Sequence, residues 1–330
     1  MIKKAFLAGQ ILLLSFSALA LETDNYITWN MELKDSAEDI NAFISREINT
    51  ALDKANNKRK IQSCRAVTFQ IAKRFKASPV IFKHPMEDWI RESLSEEQVF
   101  PKTDKWIKQS IYRYPYRFYL KAMPVAPNVQ IGGFYLGTDK LSHFTSTGRR
   151  YLSHYLKKIK HGWTDDEAQK SAIRFGLANE ATVLGTWSSG VFSYGDMEAN
   201  YQGFLFYKKM CMNESDNYLE QDEEGTWKLV KSPEMRDFVS AYWDETFNLS
   251  YRKYANWVQT APVIKDLYCG ESILSFGKKR LDKYKLSPFT SYSLDYIKEL
   301  QDEDYYRAPK PLEEQSFTEL CQTPPGQELK

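Results

Sequence analysis

The sequence predicts a mainly α-helical fold, organised as a single helical domain with a small β-hairpin. Apolar residues recur at helical spacing along much of the chain, and three Ser/Thr-x-x-Asp/Glu capping patterns are placed to begin helices. No internal repeat and no clean linker divides the chain. The roughly 310 residues that follow the N-terminal segment are enough to bury a full core.

Residues 1–20 have the pattern of a signal peptide, in which Lys3 and Lys4 precede an apolar run and the small-x-small site Ala18-Leu19-Ala20. The mature chain would then cover residues 21–330. Without those two lysines, the 45 Lys and Arg fall to 43, which equals the 43 Asp and Glu. This neutral charge predicts no nucleic-acid partner. The apolar run is too short for a membrane span, so we expect a periplasmic or secreted protein without a transmembrane segment.

Four cysteines are present, and an even number in an exported chain predicts two disulfides. Three pairings are possible, of which we favour Cys64–Cys211 with Cys269–Cys321. The sequence contains no C-x-x-C pattern, so neither a zinc ribbon nor a redox site is indicated.

The first predicted helix begins at Ser36, with Asp39 as its capping partner, and has an apolar stripe that contains Ile40, Phe43, Ile44, Ala51 and Leu52. A second helix is predicted over 62–76 and a short one over 87–94. The prolines and tyrosines of 100–133 predict extended, irregular backbone instead.

Residues 137–209 form the predicted core of the site and contain three helices. Their expected N-caps are Thr138, Thr164 and Ser193, and their expected ends lie near residues 159, 184 and 209. Gly148 in the first helix would allow another element to approach closely. Residues 185–190 are rich in glycine and serine and must turn.

Later segments predict less regular structure. Residues 216–231 predict the β-hairpin, with its turn at Glu224-Gly225. Ser232-Pro233-Glu234 predicts the start of another helix, because proline suits the first helical position. Further helices are expected over 243–330.

Polar residues at helical spacing connect the three central helices. Asp139 and His143 are four residues apart, as are Asp196 and Asn200, so each pair lies on one helix face. Glu180 lies near the end of the middle helix. These side chains can therefore meet in one place.

Glu180 is the main candidate for catalysis. A carboxyl group among apolar residues has either a partner or a raised pKa. A helix-end Glu, a turn and a second acid, here Asp196, resembles the arrangement in lysozyme-type muramidases, in which the Glu is the general acid. The competing interpretation is a buried ion pair of Glu180 with Lys140 or Arg174. Asp196 could likewise serve only as a favourable first-turn acid of its helix.

His143 has three possible roles. It could be a general base oriented by Asp139 or Asp196, a metal ligand, or a core histidine that connects the helices; we rank the core role first and the metal last. The sequence has no H-E-x-x-H pattern, and we predict no metal and no cofactor. Trp187 and Tyr194, which we place on the turn, could stack on sugar rings.

The order of these residues resembles the pattern of bacterial envelope proteins of the VanZ and YfiM types. The shared positions are D-K-x-x-H-F, a later E, and F-S-x-x-D-x-x-A-N-x-x-G, here Asp139, Lys140, His143, Phe144, Glu180, Phe192, Ser193, Asp196, Ala199, Asn200 and Gly203. The resemblance runs from Asp139 to Gly203, about 65 residues, and implies a cell-envelope protein. VanZ proteins resemble membrane helices, whereas this chain is more polar. With the muramidase-like element, the pattern is also similar to lysozyme-like enzymes of predatory bacteria that act on deacetylated walls.

The sequence therefore predicts an exported glycoside hydrolase of peptidoglycan, acting on native or deacetylated glycan. Glu180 would be the general acid and Asp196 the second carboxylate. Asp139, Lys140, His143 and Asn200 would orient these groups or the substrate. The alternative is a non-enzymatic envelope protein in which the same residues form a buried structural network.

Overall fold

The computed structural model describes residues 22–57, 61–76, 84–114, 125–182, 184–187, 189–213, 215–287 and 289–322. The predicted signal peptide, residues 1–20, lies outside these ranges. The described chain is mainly helical with small two- and three-stranded sheets, as predicted. None of its helices is long and apolar enough to cross a membrane.

The N-terminal third contributes three helices: α1 (Ala37–Asn56), α2 (Cys64–Ala72) and α3 (Pro85–Ser93). The predicted stripe of α1 is buried in the main core. Ser36 is the N-cap residue as predicted, but the expected capping box is wrong, because the Ser36 hydroxyl bonds no helix amide. Asp35 Oδ1 instead accepts the Ala37 amide at 2.8 Å.

In the described part of the chain, nine short strands form four small sheets. They are β1 (Glu22–Thr23), β2 (Val99–Phe100), β3 (Val125–Ala126), β4 (Asn128–Ile131), β5 (Phe134–Gly137), β6 (Val191–Phe192), β7 (Leu219–Gln221), β8 (Trp227–Leu229) and β9 (Tyr251–Arg252). β1 pairs in parallel with β3, β2-β4-β5 is an antiparallel sheet, and β6–β9 and β7–β8 are antiparallel pairs. The β7–β8 pair is the predicted hairpin, and its turn contains Gly225.

The β4–β5 hairpin lies partly in the region where we expected irregular backbone. Gly132 and Gly133 join its strands, with φ of +60° and +90°. Positive φ at both turn residues gives the twist that a tight two-residue hairpin needs, and glycine adopts it without a steric cost. This Gly-Gly pair was the signal that could have predicted the hairpin.

The central helices form a compact group behind this sheet. α4 (Thr138–Ser142) continues through a π-helical turn (His143–Thr147) into α5 (Gly148–Lys160), and α6 (Asp165–Glu180) and α7 (Tyr194–Lys208) pack against α5. Thr164 and Glu167 form the predicted capping box, and Ser193 caps α7 through the Asp196 amide. The N-cap of α4 is Gly137 and not Thr138.

Gly148 and Gly203 mark the point where α5 and α7 come closest. A methyl group on Gly148 would lie 2.5 Å from the carbonyl carbon of Gly203, and one on Gly203 would lie 1.8 Å from the Phe144 carbonyl oxygen. No side chain fits at either place. The prediction that Gly148 allows a close approach is confirmed.

The C-terminal part adds α8 (Tyr254–Tyr268), α9 (Glu271–Lys285), α10 (Tyr292–Asp302) and α11 (Phe317–Gln322). The helix expected at Ser232-Pro233-Glu234 is wrong: only short 3₁₀ turns, Met235–Asp237 and Ala241–Trp243, are present. Glu234 and Ser240 side chains accept amides at the starts of these turns, which favours short local turns over a continuous helix.

Both favoured disulfides are present in the structure. Cys64–Cys211 connects α2 to the end of the central helices, and Cys269–Cys321 connects α8 to α11. The second bond holds the last described helix against the second, aromatic-rich cluster of the core.

Candidate functional site

The centre of the site is the ammonium group of Lys140, which contacts three carboxylates. Its Nζ lies 2.8 Å from Asp139 Oδ2, 2.8 Å from Asp196 Oδ1 and 2.6 Å from Glu245 Oε1. Lys140 has no exposed surface. α4 places Asp139 and Lys140, α7 places Asp196, and the loop after the Ala241–Trp243 turn places Glu245. We call these four residues the lysine cluster.

Electrostatics keeps Lys140 charged. Burial lowers its pKa, but the three carboxylates outweigh burial and raise it well above the ordinary value. The three acids offer oxygens that all lie within 4.8 Å of one another, which is a donor set suited to a hard cation. The chain itself places a positive charge among these oxygens, in the form of Lys140.

Asp196 is held as an anion by two basic side chains. Its Oδ2 lies 3.3 Å from His143 Nε2, and the other ring nitrogen, Nδ1, lies 3.1 Å from Asn200 Oδ1. Burial raises the pKa of Asp196, but His143 and Lys140 lower it by more than burial raises it. The pKa of Asp196 is therefore below its usual value. Of the two acids that we considered as partners of His143, Asp196 contacts it, and Asn200, one turn further along α7, contacts the other ring nitrogen.

Glu180 is the last residue of α6, and its side chain is almost completely buried, with 2% of the residue exposed. Its Oε1 accepts the Ser193 amide at 3.0 Å. Burial raises the pKa of Glu180 well above its ordinary value, and the negative charge of Asp196 raises it further, while the Ser193 hydrogen bond lowers it. The protonated form of Glu180 is thus favoured beside an ionised Asp196.

The ion pair that we considered for Glu180 is not present among the described residues. Lys140 pairs with the lysine cluster instead. Arg174 is exposed, and its guanidinium lies 5.4 Å from the centre of the Tyr296 ring. Both cations thus have other partners, and Glu180 instead accepts the Ser193 amide at the start of α7.

Two further acids belong to the site and were missed by the sequence analysis. Glu245 also accepts hydrogen bonds from the hydroxyls of Ser193 (2.8 Å) and Ser250 (3.1 Å). Burial raises the pKa of Glu22 well above its ordinary value, and Glu245 raises it further, while a hydrogen bond from Ser189 lowers it. A charged pair inside the aromatic segment W-D-E-T-F could have indicated Glu245. Glu22 has no comparable local signal.

The segment that begins with Glu22 is built into the site over four consecutive residues. Thr23 donates its hydroxyl to Asp139 Oδ1, and Asn25 accepts the Glu245 amide at 3.0 Å. All four residues from Glu22 to Asn25 are buried. The first described residues of the chain therefore help to position acids from α4 and from the loop at 245.

A second pair of titratable groups lies behind His143. His84, at the N-terminus of α3, contacts Thr145 Oγ1 through Nε2 at 3.3 Å. Burial, followed by the nearby His143, lowers the pKa of His84 to about 4. Burial raises the pKa of Glu87 to about 7, although Ser142 donates a hydrogen bond to it. His84 is therefore buried, although it precedes the first helical residue of α3.

The two aromatic residues proposed near the turn occupy different environments. Trp187 lies on the turn and is 57% exposed. Tyr194 is the first residue of α7 and is 4% exposed; its hydroxyl donates to the Pro309 carbonyl and accepts from Gln301. Its ring lines a groove of about 670 Å³ between α10, the 247–249 loop and the C-terminal segment.

Comparisons with protein-family models, with curated proteins and with solved structures found no match. The geometry of the site itself indicates its chemistry. It contains a carboxyl group that favours its proton, an adjacent carboxylate that is held ionised, and a buried lysine that balances the charge.

Proposed function

We propose that the chain is a glycoside hydrolase that acts on the glycan of peptidoglycan, with Glu180 as general acid and Asp196 as second carboxylate. One observation carries this proposal: two neighbouring acids, connected through Ser193, have environments that move their pKa values in opposite directions. Such a pair is the requirement for acid and base roles at one centre.

The Ser193 residue organises both acids. Its amide donates to Glu180 Oε1, and its hydroxyl oxygen accepts the Asp196 amide at 3.1 Å. With Oε1 engaged, Oε2 of Glu180 would carry the proton and donate it to the leaving glycosidic oxygen as the C–O bond breaks. Asp196 would stabilise the positive charge that develops at the sugar carbon, or accept a proton from the attacking water.

Lys140 and His143 would have supporting roles in this reaction. They contact the two oxygens of Asp196 and favour its anionic form. Asn200 holds the far side of the imidazole ring. The exposed indole of Trp187, seven residues beyond Glu180, offers a flat surface for a sugar ring.

An exported location fits this function. Two disulfides are compatible with an extracellular or periplasmic protein, because such bonds persist in oxidising compartments. Peptidoglycan is the glycan polymer of that compartment, and the resemblance to envelope proteins favours the same location.

A second candidate is a non-enzymatic envelope protein, and burial favours it. Lys140 has no exposed surface, and Glu180 and Asp196 are 2% and 5% exposed. Under this hypothesis the lysine cluster only holds the central helices, the β1 segment and the 245 loop together.

Release of soluble fragments from purified peptidoglycan, native and deacetylated, tests the proposal. The mature chain should release fragments with new reducing ends, and a folded Glu180→Gln variant should release none. The amide oxygen of glutamine can still accept the Ser193 hydrogen bond, so we expect this variant to keep or slightly raise the melting temperature.

Glu198→Gln is the matched control. Glu198 is a completely buried acid on α7 that contacts Ser291, Ser293 and Gln202 rather than the lysine cluster. The control should remain active. No fragments from either wall, or equal activity of Glu180→Gln and wild type, would reject the hydrolase and leave the structural role.

A further inference from the structure

The outer face of α5 carries a concentration of positive charge that the proposed reaction does not use. Residues 148–164 contain five Arg and Lys, two His and no Asp or Glu. The basic residues are Arg149, Arg150, Lys157, Lys158 and Lys160. The inner face of α5 is apolar, with Tyr151, Leu152 and Tyr155 buried. The helix is therefore amphipathic and has a basic outer surface.

Three of these cations have exposed side chains. Arg150, Lys157 and Lys160 are exposed. Arg150 and Lys157 are seven residues apart, about two helical turns, and therefore lie on the same side of α5. Among the residues that the structure describes, none of the three lies within 4 Å of a carboxylate oxygen. Their charge is not neutralised by an ion pair.

The acids that follow α5 in the sequence do not neutralise it either. Asp165 contacts Lys208 and the Tyr155 hydroxyl, and Asp166 contacts Lys170 and Tyr292. Glu167 is engaged in the capping box with Thr164. These first-turn acids of α6 already have partners, so the positive surface of α5 remains in excess.

An exposed aromatic side chain follows the cations at the C-terminal end of α5. Trp163 is 42% exposed. The Lys158 ammonium lies 3.9 Å from the centre of the Trp163 ring. A basic helix whose end presents an indole has the composition of elements that lie at the interface of a bilayer.

We propose that this surface, formed by Arg150, Lys157, Lys160 and Trp163, docks on a bilayer that contains anionic phospholipids. The cations would contact lipid phosphates, and Trp163 would enter the headgroup region. A soluble polyanion would use the cations but would gain nothing from the exposed indole, so the combination favours lipid. This inference does not depend on the proposed hydrolase activity.

Co-sedimentation of the mature chain with vesicles tests the proposal. Vesicles of equal parts phosphatidylglycerol and phosphatidylcholine should bind the protein, and vesicles of phosphatidylcholine alone should not. Binding should weaken as salt is added, because exposed charges are screened. The triple variant Arg150→Gln/Lys157→Gln/Lys160→Gln should lose about a hundredfold in affinity, since each cation near an anionic surface contributes about 1 kcal/mol.

The matched control is Lys228→Gln/Lys231→Gln/Lys310→Gln, which changes the net charge equally at lysines that pair with carboxylates. This control variant should bind the anionic vesicles with nearly the same affinity as the wild type. Trp163→Ala should weaken vesicle binding several-fold, but it should leave retention on a soluble sulfated dextran unchanged.

Three results would overturn the proposal. One is no binding to the anionic vesicles. Another is an equal loss in the two triple variants, which would show a dependence on net charge alone. The third is retention on the sulfated dextran without vesicle binding, which would assign the surface to a soluble polyanion.

Discussion

Two buried acids on α7, Asp196 and Glu198, are two residues apart but have opposite environments. Asp196 contacts Lys140 and His143, and these bases lower its pKa against the effect of burial. Glu198 receives hydrogen bonds from the hydroxyls of Ser291 and Ser293 and from the Gln202 amide, and burial raises its pKa. Hydroxyls and an amide satisfy the oxygens of Glu198, but they do not compensate for the loss of water around a charge.

This difference separates a candidate reactive acid from a structural one. Both residues are less than 6% exposed, so burial alone does not distinguish them. The partner chemistry does, because cations favour the ionised form and neutral donors in a dry environment leave the protonated form competitive. Glu198 ties α7 to the N-terminus of α10, where Ser291 is the cap.

Lys140→Met should have the largest effect, because it would give Asp196 an environment closer to that of Glu198. Three buried carboxylates would lose their shared cation, and we expect a loss of about 3–5 kcal/mol in the free energy of unfolding at neutral pH. The loss should become smaller at mildly acidic pH, where the orphaned acids can bind protons. Urea denaturation at the two pH values measures this change.

Lys278→Met is the control for that variant. Lys278 is exposed on α9, and its replacement should leave stability within about 0.5 kcal/mol of wild type. If Lys140→Met were equally harmless, the lysine cluster would not hold the central elements together.

Asp196→Asn and Glu198→Gln should show opposite dependences on pH. The pKa of Asp196 is lowered in the folded state, so its contribution is present above the unfolded value of about 3.9 and is lost as pH falls through the folded value. The pKa of Glu198 is raised, so its contribution is present below about 4.3 and is lost as pH rises through the folded value.

Chemical denaturation between about pH 2 and about pH 7 measures both slopes, because the Asp196 change lies below about pH 3.9 and the Glu198 change lies above about pH 4.3. As pH rises, wild type should become more stable relative to Asp196→Asn and less stable relative to Glu198→Gln. Slopes of the same sign would mean that the two partner sets do not act differently.

Ser293→Ala should have the smallest effect. It removes one hydrogen bond to Glu198 and leaves the Ser291 cap of α10 in place, so we expect a loss of about 1 kcal/mol. The loss should be smaller in the Glu198→Gln background, because glutamine has one acceptor oxygen in place of the two that Glu198 offers to Gln202, Ser291 and Ser293. A double-mutant cycle of the two changes by thermal denaturation measures the coupling, and additive effects would contradict a direct contact.

Local signals in the sequence predicted the elements that carry the site. The caps at Thr164 and Ser193 depend on neighbours within one turn of the helix. The close approach at Gly148 depends only on the absence of a side chain. The pairs of polar residues four apart correctly placed Asp139, His143, Asp196 and Asn200 in one region.

Contacts between distant segments could not be predicted in this way. Glu22 and Glu245 reach the site from β1 and from a loop, where no helical or strand period reports which neighbours they meet. The same limit explains the role of Lys140, which we considered as a partner of Glu180 and which contacts three other acids instead. The contacts of Lys140 depend on the position of Glu245, which lies more than a hundred residues away in the sequence.

The contact between Asn25 and Glu245 has a consequence for the order of folding, since it joins positions 220 residues apart. Closing so long a segment has a high entropic cost, and contacts of this kind form late when folding proceeds from local structure. The helical pair α5–α7 can form from neighbouring segments, whereas the complete set of acids also requires the segments at Glu22 and at Glu245. A partly folded molecule would therefore contain its helices before it contains the assembled site.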